Sequence, residues 1–302
     1  MSVSFCGLEL AHPIVNGSGT FDAIAARRAF GEELVRAFPF AAYVSKTITL
    51  EPRAGNPPPR LWEASAGLIN SIGLPNKGLD GYLEEDLPRL AELCAAAAAA
   101  LGGCVPLITN VMGASAEEIG RLLDGCEPHE EIAALELNVS CPNVSTGLDI
   151  GADPQQLEQV VRAVRPRTRK PLIVKLTPNT ADVALCARAA EAGGADAVSL
   201  INTLRAAALA PRRALAQARP WLGAGSGGLS GPAIRVVALA QVAAVAESVE
   251  IPVVGMGGVR SGADARDLID VGATLVAVGT ESFSDPAAGG RIARELAREP
   301  GS

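Results

Sequence analysis

The stretch Ala133-Ala134-Leu135-Glu136-Leu137-Asn138-Val139-Ser140-Cys141-Pro142-Asn143 carries the pattern that decides the fold. Ala133 to Leu137 reads as a buried strand, and Pro142 with Asn143 breaks it. The run empties into amide, hydroxyl and thiol side chains. Cys141 therefore stands where a parallel strand ends and a loop begins, the place at which α/β folds put their chemistry.

Seven further apolar runs end in the same way, at Val15-Asn16-Gly17-Ser18, Val44-Ser45-Lys46-Thr47, Leu107-Ile108-Thr109-Asn110, Ile173-Val174-Lys175, Ser199-Leu200-Ile201-Asn202, Val253-Val254-Gly255-Met256-Gly257 and Leu275-Val276-Ala277-Val278-Gly279. Most lead into a helical pattern. Asp153-Pro154 reads as an N-cap and first-turn proline before Gln155 to Val164, and Ser261 to Val271 is amphipathic and stops at Gly272. Eight such units in series predict an α/β chain folded as a (β/α)8 TIM barrel, one domain over residues 1–302. Two connections, Leu50 to Leu79 and Leu204 to Leu229, are too long for plain barrel loops and are expected to extend over the C-terminal rim as functional covers. A doubly wound sheet offers no switch point and leaves the eight endings unconnected.

Composition agrees. The chain has 302 residues, 48% of them hydrophobic but only 3% aromatic, which suits helices on an aliphatic parallel sheet. A net charge of -7 argues against a nucleic-acid partner. No stretch reaches the length of a membrane span and no secretory signal opens the chain, so no membrane association is expected. The six cysteines form no CxxC pair; they read as reduced thiols in a cytosol, which argues against an iron-sulfur or zinc site here.

Chemistry can be placed on the eight strand ends. Gly257-Gly258 and Gly279-Thr280 follow strands seven and eight, where barrels bind phosphate on backbone N–H groups. Of four lysines, Lys46 and Lys175 end strands, from where an ammonium can meet growing negative charge or, desolvated, form a Schiff base. Asn70, Asn110, Asn138, Asn143 and Asn202 fall at strand ends or in rim loops, and converging amides suit a planar cyclic imide; Asn76 and Asn179 read better as turn caps. Neither His12 nor His129 is placed to pair with Cys141, so a thiolate base acting without histidine fits best.

With these residues in view, SKTITLEPRAGNPPPRLWEASAGLINSIGLPNKG (residues 45–78) and ELNVSCPN (136–143) resemble the dihydroorotate dehydrogenase family, specifically the class 1B catalytic subunit. The resemblance runs over nearly the whole chain, through NGSGT from Asn16, VKLTP, LINT, GGLSGPAI, PVVGMGG and AVGTE. It implies an FMN-containing barrel that oxidises dihydroorotate to orotate in pyrimidine synthesis. Cys141 would take the C5 proton, and Lys175 would lie by the flavin. Lys46, Asn70, Ser71, Ile72, Gly73, Leu74, Asn138, Asn143, Asn202 and Thr203 would hold the substrate. Ser18, Lys46, Thr47, Asn110, Asn138, Lys175, Ile201, Gly231, Gly257, Gly258, Gly279 and Thr280 would hold FMN.

The same resemblance implies a cytoplasmic protein, a homodimer of this chain, and a partner subunit with FAD and a [2Fe-2S] cluster that passes electrons to NAD from a heterotetramer. Dihydropyrimidine dehydrogenase, acting on uracil or thymine, shares the Cys and FMN logic and is the alternative. A flavin-free aldolase with a Lys175 Schiff base is a third reading. The chain departs from the family after Asn202-Thr203, where Leu204-Arg205-Ala206 replaces a usual Gly-Met pair. The loop from Leu204 to Leu229 is therefore expected to reshape the cover or the partner surface.

Overall fold

A computed structural model describes residues 2–139, 147–210 and 219–298. Cys141 and Asn143 lie outside these described residues. All eight expected strands form: Ile14–Asn16, Tyr43–Val44, Leu107–Val111, Ile132–Asn138, Leu172–Lys175, Ala197–Leu200, Val253–Met256 and Leu275–Val278. They pair in parallel in the order one, eight, seven, six, five, four, three, two. Strands one and two are joined by Ala41 N–H donating to Ile14 O at 2.9 Å and by the side chain of Asn16. The result is the expected (β/α)8 barrel.

Helices follow the strands as their caps dictate. Ser115 accepts from Glu118 N–H at the start of Ala116–Cys126, Asp153 caps Pro154–Val164, and Ser261 with Asp264 forms a capping box on Gly262–Asp270. Their apolar faces bury Ile119, Leu122, Leu123, Leu157, Val161 and Leu268 against the outside of the strands.

The barrel floor is sealed by a hairpin of Val3–Phe5 and Leu8–Leu10. Its turn residues Cys6 and Gly7 both have positive φ, 48° and 80°, as a tight two-residue hairpin turn requires. Phe5 and Leu10, each 1% exposed, pack against inward residues of the strands, among them Val15, Val44, Ile108, Ala134, Ile173, Ala197, Val254 and Leu275. Full burial of such a side chain stabilises the fold by about 2–3 kcal/mol.

At the opposite end, described parts of both long connections form strands. Leu61–Ala64 and Gly67–Asn70 from the first, with Leu204–Ala206 and Gly227–Ser230 from the second, form one antiparallel sheet. Asn70 faces Gly228 and Ile69 faces Leu229 across the seam. Trp62 and Trp221 meet edge to face at 5.4 Å, and Trp221 Nε1 donates to Leu61 O at 3.1 Å. The departure at Leu204-Arg205-Ala206 is an edge strand of this sheet. Among the described residues no helix is long and apolar enough to cross a membrane.

Candidate active site

Side chains alternate in and out along a barrel strand. Ile108, Ala134, Ile173 and Ala197 point inward at the floor; two residues further on, the same strands turn Asn110, Glu136, Lys175 and Ser199 inward. All four are buried, at 0%, 4%, 5% and 0% exposure. The layer is polar and mutually bonded. Asn110 Nδ2 donates to Glu136 Oε2, and Ser199 Oγ donates to Glu136 Oε1 at 2.7 Å. Asn110 Oδ1 is buried with no partner among the described residues. Lys175 sits in register between Asn138 and Ser199, and its ammonium has no hydrogen bond or ion pair among the described residues. Buried groups of this kind cost free energy unless a hydrogen-bond partner meets them.

The ends of strands one and two adjoin this layer. Ser18 Oγ donates to Ser45 O at 2.8 Å and lies 3.4 Å from Thr47 Oγ1. Ser45 Oγ accepts from Asn110 N–H at 3.1 Å, and Asn110 O accepts from Ile48 N–H at 2.9 Å, so the backbone of Asn110 is fixed from strand two. Lys46 is exposed at the rim, on the edge of a cleft of about 470 Å³ that Asp22, Tyr43 and Arg89 also line. Surrounding protein lowers its pKa by desolvation; Asp22 opposes the shift and Arg60 adds to it.

Across the mouth, glycines crowd together. Gly257 and Gly258 have φ of 131° and 72°. A Cβ on Gly257 would reach within 2.7 Å of Ala238 Cβ and 3.2 Å of Ile201 Cγ1. One on Gly258 would meet Gly231 O at 3.0 Å, and one on Gly231 would meet Thr280 Cγ2 at 3.5 Å. Gly231, Ile201, Gly257, Gly258 and Thr280 are thus neighbours from four separate segments, with Gly279 beside Gly17. Close packing and positive φ require glycine at these positions, and no Cβ separates the backbones of the four segments. Ser230 ties the cradle to the rim sheet: Thr280 Oγ1 donates to Ser230 Oγ at 2.8 Å, and Ser230 Oγ donates to Leu68 O at 3.3 Å.

The rim residues divide. Asn70 Nδ2 donates to Gly228 O at 3.2 Å in the cover sheet. Ser71 is fully buried, accepting from Asn56 Nδ2 at 3.1 Å, while Ile72 O accepts from Asn56 N–H. Gly73 and Leu74 follow with φ of 75° and 53°; the Leu74 side chain packs on Met112. A left-handed leucine costs of order 1 kcal/mol, which this turn sustains next to the mouth. Asn202 Oδ1 accepts from Thr203 N–H at 2.8 Å, and Thr203 abuts Gly228. Asn76 bonds Thr49, Leu74 and Gly78, and Asn179 bonds Thr177, Thr203 and Arg205, so both organise turns as expected.

Sequence reasoning passed over Glu136, Ser199, Asn16 and Ser230. A lone carboxylate within the apolar run of strand four was a usable signal for Glu136, because a buried acid needs partners. Ser199, Asn16 and Ser230 have ordinary strand or turn roles on sequence grounds.

A closed parallel barrel with glycine turns after its last two strands, and with amide and ammonium groups turned into its mouth, defines a (β/α)8-barrel enzyme. Comparison with known proteins narrows the class. A family model described as "Dihydroorotate dehydrogenase" matches residues 1–299, and the chain belongs to that family. It is 42% identical over 300 residues to the catalytic subunit of dihydroorotate dehydrogenase B (NAD(+)) from Citrifermentans bemidjiense, covering 98% of this chain and 92% of that one. The correspondingly named subunits of Geobacter sulfurreducens (42% over 302 residues, 99% and 92% covered) and Desulforudis audaxviator (43% over 299 residues, 98% and 91%) are similarly close.

Proposed function

We propose that this chain is the catalytic subunit of an NAD-linked dihydroorotate dehydrogenase, one FMN-binding barrel over residues 1–302 that oxidises dihydroorotate to orotate for pyrimidine synthesis. The observation that carries the reading is the buried polar layer at the strand ends, where Asn110 Oδ1 and the Lys175 ammonium have no partner among the described residues, together with the glycine cluster after strands seven and eight. An anionic, planar ligand with a phosphate tail meets all three needs, so the residues fit FMN.

FMN would be held by Ser18, Lys46, Thr47, Asn110, Asn138, Lys175 and Ile201 around its ring and chain. Gly231, Gly257, Gly258, Gly279 and Thr280 would hold its phosphate. When bound, FMN supplies the hydride acceptor. Cys141 removes the proton from C5 of the substrate, and the buried Lys175 ammonium favours negative charge next to it. Asn70, Asn138, Asn143, Asn202 and Thr203 read the ring edges without adding charge. Lys46 offers a cation to the carboxylate, and Ser71 to Leu74 close the pocket from the cover.

Electrons would then leave through a separate subunit with FAD and a [2Fe-2S] cluster, in a heterotetramer built on a homodimer of this chain. The relatives' designation as a catalytic subunit of an NAD(+) enzyme supports this arrangement. Among the described residues no cluster of side chains could hold a metal, and the five described cysteines are free thiols, as in a cytoplasmic protein. Co-expression with the neighbouring genes should give a complex on gel filtration; no stable association would remove the partner.

The defining test is anaerobic. The purified chain should show a visible flavin band that dihydroorotate bleaches and dihydrouracil does not. Bleaching by dihydrouracil alone would move the assignment to dihydropyrimidine oxidation. A colourless protein that FMN cannot reconstitute would end the reading.

A further inference from the structure

Glu136 is a carboxylate in the middle of a barrel, 4% exposed, with no cationic partner among the described residues. Its two oxygens take one hydrogen bond each, from Asn110 Nδ2 and from Ser199 Oγ. Strands three, four and six are thereby linked through one side chain. The next inward position toward the mouth on strand four is Asn138, and the register partner of Glu136 on strand three is Asn110.

Both side-chain oxygens of Glu136 act as acceptors here. Asn110 must therefore turn its Nδ2 to Glu136, and the other end of the amide follows by geometry. That end, Oδ1, is buried and has no partner among the described residues. A free amide could rotate by half a turn and offer either a donor or an acceptor; this one is fixed as an acceptor. Ser199 Oγ holds the second carboxylate oxygen and keeps Glu136 from swinging away.

We propose that Glu136 is a positioning residue: it acts through Asn110, locking that amide so that a carbonyl oxygen, not an NH2, faces a ring N–H of the bound ligand. This rests on the FMN reading above, since oxidised isoalloxazine carries one ring N–H, at N3, and otherwise presents acceptors along that edge. Glu136 selects the donor edge by denying Asn110 its donor.

The test is a titration of FMN into apoprotein, followed by fluorescence quenching, for wild type, Glu136→Gln, Asn110→Ala and the double variant. In Glu136→Gln the introduced side-chain NH2 can donate to Asn110 Oδ1, releasing the asparagine to turn its own NH2 to the ligand. Each single change should weaken FMN binding about tenfold, the scale of one hydrogen bond with an orphaned buried group. The double variant should lose little more than either single one, because Glu136 works through Asn110. Independent losses that multiply to about a hundredfold, or unaltered affinity in Glu136→Gln, would overturn the proposal. Should Glu136→Gln not fold, Ser199→Ala removes only the tether and should weaken FMN binding about threefold, within the range of one neutral hydrogen bond; wild-type affinity there would also overturn it. Wild-type apoprotein that fails to bind FMN would instead sink the functional reading itself.

Discussion

The side-chain amide of Asn16 pairs with the backbone of Val44 as a peptide group would: Nδ2 donates to Val44 O and Oδ1 accepts from Val44 N–H, both at 2.8 Å. Strand two is only Tyr43–Val44, and the Asn16 amide completes the seam that strand one cannot. Replacing Asn16 with Ala leaves a buried donor and a buried acceptor unmet, which should lower stability by about 2–4 kcal/mol. Urea denaturation measures this, and a loss below about 1 kcal/mol, the net value of a single hydrogen bond, would show that the seam closes without it.

Stability should also fall in mild acid through His12. Burial lowers its pKa from 6.5 to about 4, and its Nδ1 accepts from Ile14 N–H at 3.3 Å, a role only the unprotonated ring can fill. The folded value lies below the unfolded one, so the unfolded chain binds more protons between pH 6.5 and about 4. The stabilisation is therefore complete above pH 6.5 and is lost as pH falls through that window, by at most about 3 kcal/mol. Wild type and His12→Gln compared in urea at about pH 7 and pH 5, on either side of the ordinary imidazole pKa, should show the steeper loss in wild type; parallel losses would clear His12.

Cys141→Ser should keep FMN and orotate binding but slow flavin reduction by dihydroorotate at neutral pH by at least about a hundredfold, because a hydroxyl is a far weaker acid than a thiol. Anaerobic stopped-flow absorbance reads the rate. Unchanged kinetics would remove Cys141 from the role of base.

Lys175→Ala should weaken FMN retention or slow its reduction about tenfold or more, since the ammonium is the buried cation at the mouth. Flavin content after gel filtration and the stopped-flow rate check the two effects separately. Normal values of both would show that the Lys175 ammonium contributes nothing to the cofactor.

Much of this was legible in the chain. Each barrel strand is an apolar run closed by Gly, Ser, Thr, Asn or Lys, and local hydrophobicity suffices to find it; the eight strands run parallel, so their C-terminal ends share one end of the barrel. Lys46, Lys175 and Asn110 could be placed there because a polar residue at a strand end has one sensible direction. The cover sheet escaped notice because Gly227-Gly228-Leu229-Ser230 and Leu204-Arg205-Ala206 have no clear alternation, and their pairing depends on residues far off in the chain. Glu136 escaped because its meaning lies in Asn110 and Ser199, on two other strands.

The seam of the cover joins Asn70 to Gly228, 158 positions apart, whereas strands three and four meet after a single helix. Contacts so distant carry a loop-closure entropy that is only modestly greater than that of neighbouring strands, because the cost grows slowly with separation. The cover strands, less buried than the barrel strands, should exchange their amide hydrogens before them. Local opening of the cover would then admit a ligand without disturbing Phe5, Leu10 and the packed floor at the far end of the barrel.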